Sequence, residues 1–131
     1  MTNSILIGQA INRTLRDNSA LTEYVGTRIY PVIVDEDVEF PFVVFYRNNI
    51  SSASDKMGVY EDSVSYSVVA VAETYAESCY IANEIRKSLE FKKRVFEDLE
   101  LFIYDSKLSG VNEGYIANSY VQTLTFTCTT H

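Results

Sequence analysis

The sequence predicts an α+β fold, with a mainly antiparallel β-sheet and two α-helices packed on one of its faces, in the order α-β-β-β-α-β-β. Two stretches repeat apolar residues at helical spacing, and several others alternate apolar and polar residues as half-buried strands do. That order places the helices as one layer on the sheet. No repeat, low-complexity segment or linker divides the 131 residues, so 1–131 is predicted to be one domain.

The predicted helices are marked by apolar stripes and by capping signals. Ile7–Leu15 carries apolar side chains every four positions, and a short helical turn follows, which Asn18 or Ser19 can cap and Gly26 can end. Thr74–Glu77 has the spacing of a capping box at the start of the second main helix. The stripe that this helix turns towards the sheet consists of Tyr75, Cys79, Ala82, Ile85 and Leu89.

Five strands are predicted from alternating or continuously apolar segments. They are Arg28–Tyr30, Phe42–Arg47, Val59–Ala72, Leu99–Tyr104 and Tyr120–Thr129. The last is the clearest, since threonines occupy one face and the other is apolar apart from a single glutamine. The polar, turn-rich segments between the strands are predicted to be loops.

Two of these strands are apolar on both faces, although a single helical layer covers only one. Phe42–Tyr46 and Val68–Ala72 contain no polar residue. Their second face must therefore meet either a folded-over part of the same sheet or another copy of the protein. Ten tyrosines agree with self-association, because tyrosine suits surfaces that become covered in a complex; β-rich proteins also use more tyrosine.

The charge distribution argues against nucleic-acid binding. Eighteen acidic and eleven basic residues give a net charge of −7, whereas a phosphate backbone is held by excess lysine and arginine. Arg86–Arg94 contains five bases, which could meet an acidic partner but fit better a helix C-terminus and a solvated turn. The acidic run Asp35–Glu39 is predicted to be an exposed loop, with a weak calcium site as the minor alternative.

The sequence offers no set of residues for catalysis, for a cofactor or for a metal. The one histidine, His131, is the last residue, where a base is rarely held rigidly. Cys79 and Cys128 lack metal or redox spacing and are predicted to be small core residues in a reducing compartment. No stretch has the features of a signal peptide or a membrane span, so we expect a cytosolic protein that is not an enzyme.

Four stretches resemble the tail-completion or tail-terminator family of long-tailed bacteriophages and prophages. They are Leu21–Pro31 with its Val-Gly turn and Arg-Ile-Tyr-Pro strand, the Pro-led apolar strand Phe40–Tyr46, the strand–helix junction Ala72–Ile85, and the alternating strand Tyr120–Thr127. Together they span nearly the whole chain. An acidic run replaces the proline-rich connector common in that family, and the long strand carries no tryptophan.

The resemblance implies a structural subunit that forms a ring, with six copies as the expected number, on the head-proximal end of the tail tube. Such a ring stops tube polymerisation and joins the tail to the head, so the implied partners are further copies, the tail tube protein and a head-completion or connector protein. The expected locations are the bacterial cytoplasm during assembly and the virion tail. Net acidity would let DNA pass without specific binding. The alternative is a ferredoxin-like ligand-binding or regulatory module without catalysis.

Two predicted loops are the candidates for contacts with neighbouring subunits or the tube. Loops at Asn48–Gly58 and Lys107–Gly114 suit this role because assembly proteins often use segments that order on binding, although both could be plain surface loops. The candidate contact residues are Ser54, Asp55, Lys56, Met57, Lys107, Ser109, Asn112 and Glu113.

Overall fold

A computed structural model describes residues 2–54 and 60–131, which form an α+β fold of three α-helices and a six-stranded sheet. The helices are α1 (Ile7–Arg16), α2 (Ser19–Val25) and α3 (Tyr75–Leu89). The strands are β1 (Ile29–Pro31), β2 (Phe42–Ser54), β3 (Tyr60–Ala72), β4 (Arg94–Phe96), β5 (Leu101–Ile116) and β6 (Ser119–Thr130). Of the helices in these two segments, none is long and apolar enough to cross a membrane.

The sheet is mixed, with the strand order β1-β2-β3-β6-β5-β4. The short strand β1 runs parallel to β2, and the other four pairings are antiparallel. The α+β class is confirmed, and the predicted mainly antiparallel sheet fits four of the five pairings, but the sheet is mixed because of β1. β6 is central, since it pairs with β3 on one side and with β5 on the other.

The predicted positions of the helices are confirmed, but the predicted element order counted one helix too few, and Tyr75, predicted to face the sheet from α3, is 49% exposed. In α1 the residues Ile7, Ile11 and Leu15 are buried, as their spacing requires. The turn after α1 is a complete helix, α2, whose N-cap Asn18 accepts a hydrogen bond from the Leu21 amide and whose C-cap is a glycine with φ 60°. The Thr74 hydroxyl caps α3 by accepting from the Glu77 amide at 3.2 Å.

Both predicted contact loops are instead strand, as far as they are described. β2 continues through Asn48 to Ser54 after a register shift, paired with β3, and residues 55–59 lie outside the described part. The segment Lys107–Gly114 lies within β5, paired with β6. The three-residue strand β4 was not predicted at all. Strand pairing satisfies the backbone hydrogen bonds of these polar, glycine-containing segments and overrides their turn-like composition.

All three helices pack on one face of the sheet, as predicted. The core on that face joins the helices to β2, β3 and β6, with Val43, Val68, Leu124 and Phe126 at its centre. The opposite face is covered unevenly. There Phe40 packs on Phe42 at a ring-centroid distance of 5.5 Å, whereas Val44, Val69 and Val121 stay half-buried. The second apolar side of β2 and β3 is thus partly open, and β2, β3 and β6 all contribute to it.

The charged runs behave as solvated surface. Arg86 and Lys87 occupy the last turn of α3 and pair with Glu90 and Glu84 at 2.9 and 3.1 Å. This agrees with the helix-terminus interpretation of the basic cluster. The run at 35–39 is an irregular, mainly exposed connection, as predicted. Cys128 is buried, but Cys79 is half-exposed and so is only partly a core residue.

Candidate protein-contact surface

The structure places half of the predicted contact residues on one strand. Lys107, Ser109, Asn112 and Glu113 are exposed on β5. Ser54 is the last residue of β2, and Asp55, Lys56 and Met57 lie outside the described residues.

The two predicted contact regions are not brought together. Ser54 pairs with Tyr60, at the beginning of β3, while Glu113 lies beside Gln122, which pairs with Ala70. Ten residues of β3 separate these levels, or about 33 Å at the usual rise of a strand. Ser54 and Glu113 therefore do not share one contact patch on a single copy.

The second half of β5 forms an open edge. β4 pairs only with Leu101–Ile103, so among the described residues no strand flanks β5 on its outer side beyond that point. Its side chains include Val111, Tyr115 and Ile116, which are 45%, 60% and 66% exposed. A two-residue turn, Ala117-Asn118, with positive φ at both positions leads into β6. We refer to residues 107–116 as the β5 edge.

A polar cluster fixes the β5 edge to α3. The Glu113 carboxylate accepts a hydrogen bond from the Tyr75 hydroxyl at 2.9 Å and another from the Gln122 amide at 3.2 Å. Gln122 is only 5% exposed, and its amide also lies 3.3 Å from the Ser78 hydroxyl. The bond to Glu113 raises the pKa of Tyr75 to about 12. Gln122, the one polar residue on the apolar face of the last strand, therefore has hydrogen-bond partners in Glu113 and Ser78.

The opposite edge of the sheet, at β1, is closed. Pro31 has no amide proton to offer a further strand. The guanidinium of Arg16 donates to the Ile29 carbonyl at 2.9 Å, so an outward-facing acceptor is already used. At the far end of this segment, Arg28 donates to the Pro41 carbonyl at 2.8 Å. Such devices protect an edge from pairing with another chain.

A groove runs beside β1, between the start of α1 and the end of β1. It consists of two adjoining cavities of about 540 and 330 Å³ that share Ile5, Gly8, Pro31 and Phe45. Arg47 lines the first cavity and Arg16 the second, so the apolar floor has an arginine on each side. Ile5 and Val32 on its rim are each 73% exposed. Sequence reasoning missed this groove, which we call the β1 groove.

The described residues show no arrangement suited to metal chemistry. Within 2–54 and 60–131, no three His, Cys, Asp or Glu side chains lie close enough to hold an ion. Burial raises the pKa of the Cys128 thiol to about 12, which keeps this cysteine in its unreactive protonated form.

Comparison with known proteins decides the family. The model of the family described as "Tail completion protein gp17" matches residues 9–102. The chain belongs to this tail-completion family. It is a structural phage tail protein. No curated protein matches the chain.

A solved structure shares the fold of this tail-completion protein over nearly its whole length. It is a chain of the "Virion of native gene transfer agent (GTA) particle", 15% identical, with a TM-score of 0.79 and coverage of 92% of this chain and 90% of that chain. Of the four stretches that resemble the family, three lie within the match to the family model, and the strand Tyr120–Thr127 lies outside it.

Proposed function

We propose that this protein is the tail-terminator subunit of a phage or prophage, which forms a ring at the head-proximal end of the tail tube and joins the tube to the head. In this proposal residues 1–131 act as one domain and six copies form the ring. The partners are the tail tube protein and a head-completion or connector protein. Assembly takes place in the bacterial cytoplasm, and the subunit catalyses no reaction.

The observation that carries the proposal is the one-sided cover of the sheet. The helices bury Val43, Val68 and Phe126 on one face, while the other face has valines that keep partial access to water: Val44, Val69 and Val121. Half-buried apolar side chains on the uncovered face of a sheet suit a surface that another protein covers. Because the chain belongs to the tail-completion family, we expect the covering protein to be a component of the tail assembly.

The charge of the chain supports a ring through which DNA can pass. A net charge of −7 repels a phosphate backbone, so a channel of this composition would conduct DNA without holding it. We therefore expect no specific binding of nucleic acid.

The test is to add the purified protein to growing tubes of its cognate tail tube protein. A terminator binds tube ends and stops growth, so electron microscopy should show shorter tubes with a ring of density at one end. A phage lacking the gene should produce overlong tails without heads. Tube lengths unchanged by an excess of protein, together with normal tails in the deletion phage, would contradict the proposal.

A further inference from the structure

We infer that, in the ring, the β5 edge of one copy docks into the β1 groove of the next copy, with Glu113 of the first facing Arg47 and Arg16 of the second. This inference rests on the proposed function for the existence of a ring. It adds which surfaces meet and why the contact runs in one direction around the ring.

The β1 groove is positively charged without an internal counter-ion. Arg47 donates to the Ile5 carbonyl at 2.9 Å, and Arg16 donates to the Asn12 side chain and to backbone carbonyls. No carboxylate of residues 2–54 and 60–131 lies within salt-bridge distance of either arginine. Two guanidinium groups beside an apolar floor fit a ligand with apolar side chains and a carboxylate.

The β5 edge presents that combination. Val111 and Tyr115 are 45% and 60% exposed and flank Glu113 on the same face of β5, while Ile116 is exposed on the other face. The Glu113 carboxylate accepts two hydrogen bonds within the chain, and a carboxylate has about four acceptor sites. It can therefore keep its bonds to Tyr75 and Gln122 while it also faces an arginine of a neighbouring copy.

The positions of the two surfaces exclude a contact within one copy. β1 and β5 lie on opposite sides of the central strands β2, β3 and β6, so each surface can meet only its counterpart on another molecule. A contact between two different surfaces is head-to-tail, and such contacts close into rings when the rotation between subunits permits it. Pro31 and Arg16 close the β1 edge to strand addition, so docking is through side chains in the groove.

Disulfide trapping between two single-cysteine proteins tests the contact directly. Val32→Cys is placed on the groove rim and Tyr115→Cys on the Glu113 face of the β5 edge, both in a background with Cys79→Ser and Cys128→Ala, and the rings are assembled on tubes from an equal mixture. We expect cross-linked pairs in the mixture and none when either protein is used alone. Rings that form without cross-links in the mixture would refute the inference and leave the terminator function intact. The absence of rings as well would refute both.

Charge exchange supplies an independent test with matched controls. Glu113→Arg and Arg47→Glu should each weaken self-association in sedimentation measurements by about tenfold, and the two changes together should restore it. Lys93→Glu, on an exposed site beside Tyr104 and Asp105 and outside both surfaces, should leave association unchanged. Glu113→Gln keeps an acceptor for Tyr75 and separates lost charge from lost structure. Failure of the double variant to recover, in a protein with an unchanged circular dichroism spectrum, would overturn the pairing.

A groove-filling variant checks the apolar part of the contact. A Cβ atom added at Gly8 would lie 3.8 Å from the Phe45 ring, an ordinary contact distance, so Gly8→Ala fits without rearrangement. Gly8→Leu would extend a side chain into the groove and should weaken association by about tenfold relative to Gly8→Ala. Equal association of the two variants would contradict the docking.

Discussion

The two edges of the sheet are built in opposite ways. At one edge β1 is three residues long, contains Pro31, and has the Ile29 carbonyl occupied by Arg16. At the other edge β5 is sixteen residues long, and its second half has no flanking strand in the described part of the chain. The β1 edge therefore cannot pair with an added strand and borders the β1 groove, whereas the β5 edge presents exposed side chains. The two edges of a subunit therefore present different surfaces, as a head-to-tail assembly requires.

Truncation of one apolar side chain at each edge should give the largest difference. Ile29 is 2% exposed in β1, so Ile29→Ala should lower the free energy of unfolding by about 2–5 kcal/mol. Val111 is 45% exposed in β5, and Val111→Ala should change it by less than about 0.5 kcal/mol. Urea denaturation of the monomer measures both. Similar losses at the two sites would show that β5 is packed as tightly as β1.

The turns that lead into the two edges should respond to substitution with opposite signs. Gly26, before β1, has φ 60° and ψ −127°, which side chains rarely tolerate, so Gly26→Ala should cost about 1–3 kcal/mol. Ala117, after β5, has φ 51°, and Ala117→Gly should stabilise the protein by about 1 kcal/mol. Thermal unfolding of the two variants checks the signs. A destabilising Ala117→Gly would mean that the hairpin turn differs from the one described.

Arg16, which closes the β1 edge, should contribute more to the free energy of unfolding than Lys107 on the β5 edge. Arg16→Ala removes the donor to the Ile29 carbonyl and should lower the free energy of unfolding by about 0.5–1.5 kcal/mol. Lys107 pairs with Asp105 at 3.7 Å, and both side chains are mostly exposed, so Lys107→Ala should have almost no effect. Denaturant titrations of the pair test this ordering. Equal effects would remove Arg16 from the description of the closed edge.

The smallest expected effect is a shift in the titration of Tyr75. The Glu113 bond raises the pKa of this phenol from 10 to about 12. Because the folded-state pKa lies above the unfolded value, the contribution of the bond is complete below about pH 10 and is lost as the pH rises towards 12. Glu113→Gln should bring the pKa back towards 10. The measurement is tyrosinate absorbance, with Tyr75→Phe in each background to isolate this residue; an unchanged titration would show that the bond does not form.

The helices could be predicted from sequence because their signals are local. The four-residue spacing in α1, the Asn18 cap and the Thr74 cap each depend on a few neighbouring residues, and the structure confirms all three. The outer halves of β2 and β5 could not be predicted in the same way. Segments such as 48–54 and 107–114 are polar and rich in turn formers, and only their partners β3 and β6, distant in sequence, hold them as strands.

The candidate site was predicted in part for a similar reason. Sequence reasoning selected Glu113 as a candidate contact residue in a predicted loop and noted the glutamine among the apolar residues of the last strand, yet it did not connect either with Tyr75. The β1 groove was missed because Ile5, Pro31 and Phe45 come from three segments whose approach depends on the fold. Arg16 and Arg47 donate to backbone carbonyls and have no carboxylate partner among the described residues, and only the distances in the structure show this.

The central position of β6 has a consequence for biosynthesis. β6 is the last of the six strands to leave the ribosome, yet it separates β3 from β5 and carries Leu124 and Phe126 into the main core. Until it emerges, β3 has one free edge and the core has a gap, so the nascent chain cannot complete its sheet before β6 has been made. A chain that stops before residue 119 would therefore have an open sheet that is prone to aggregate.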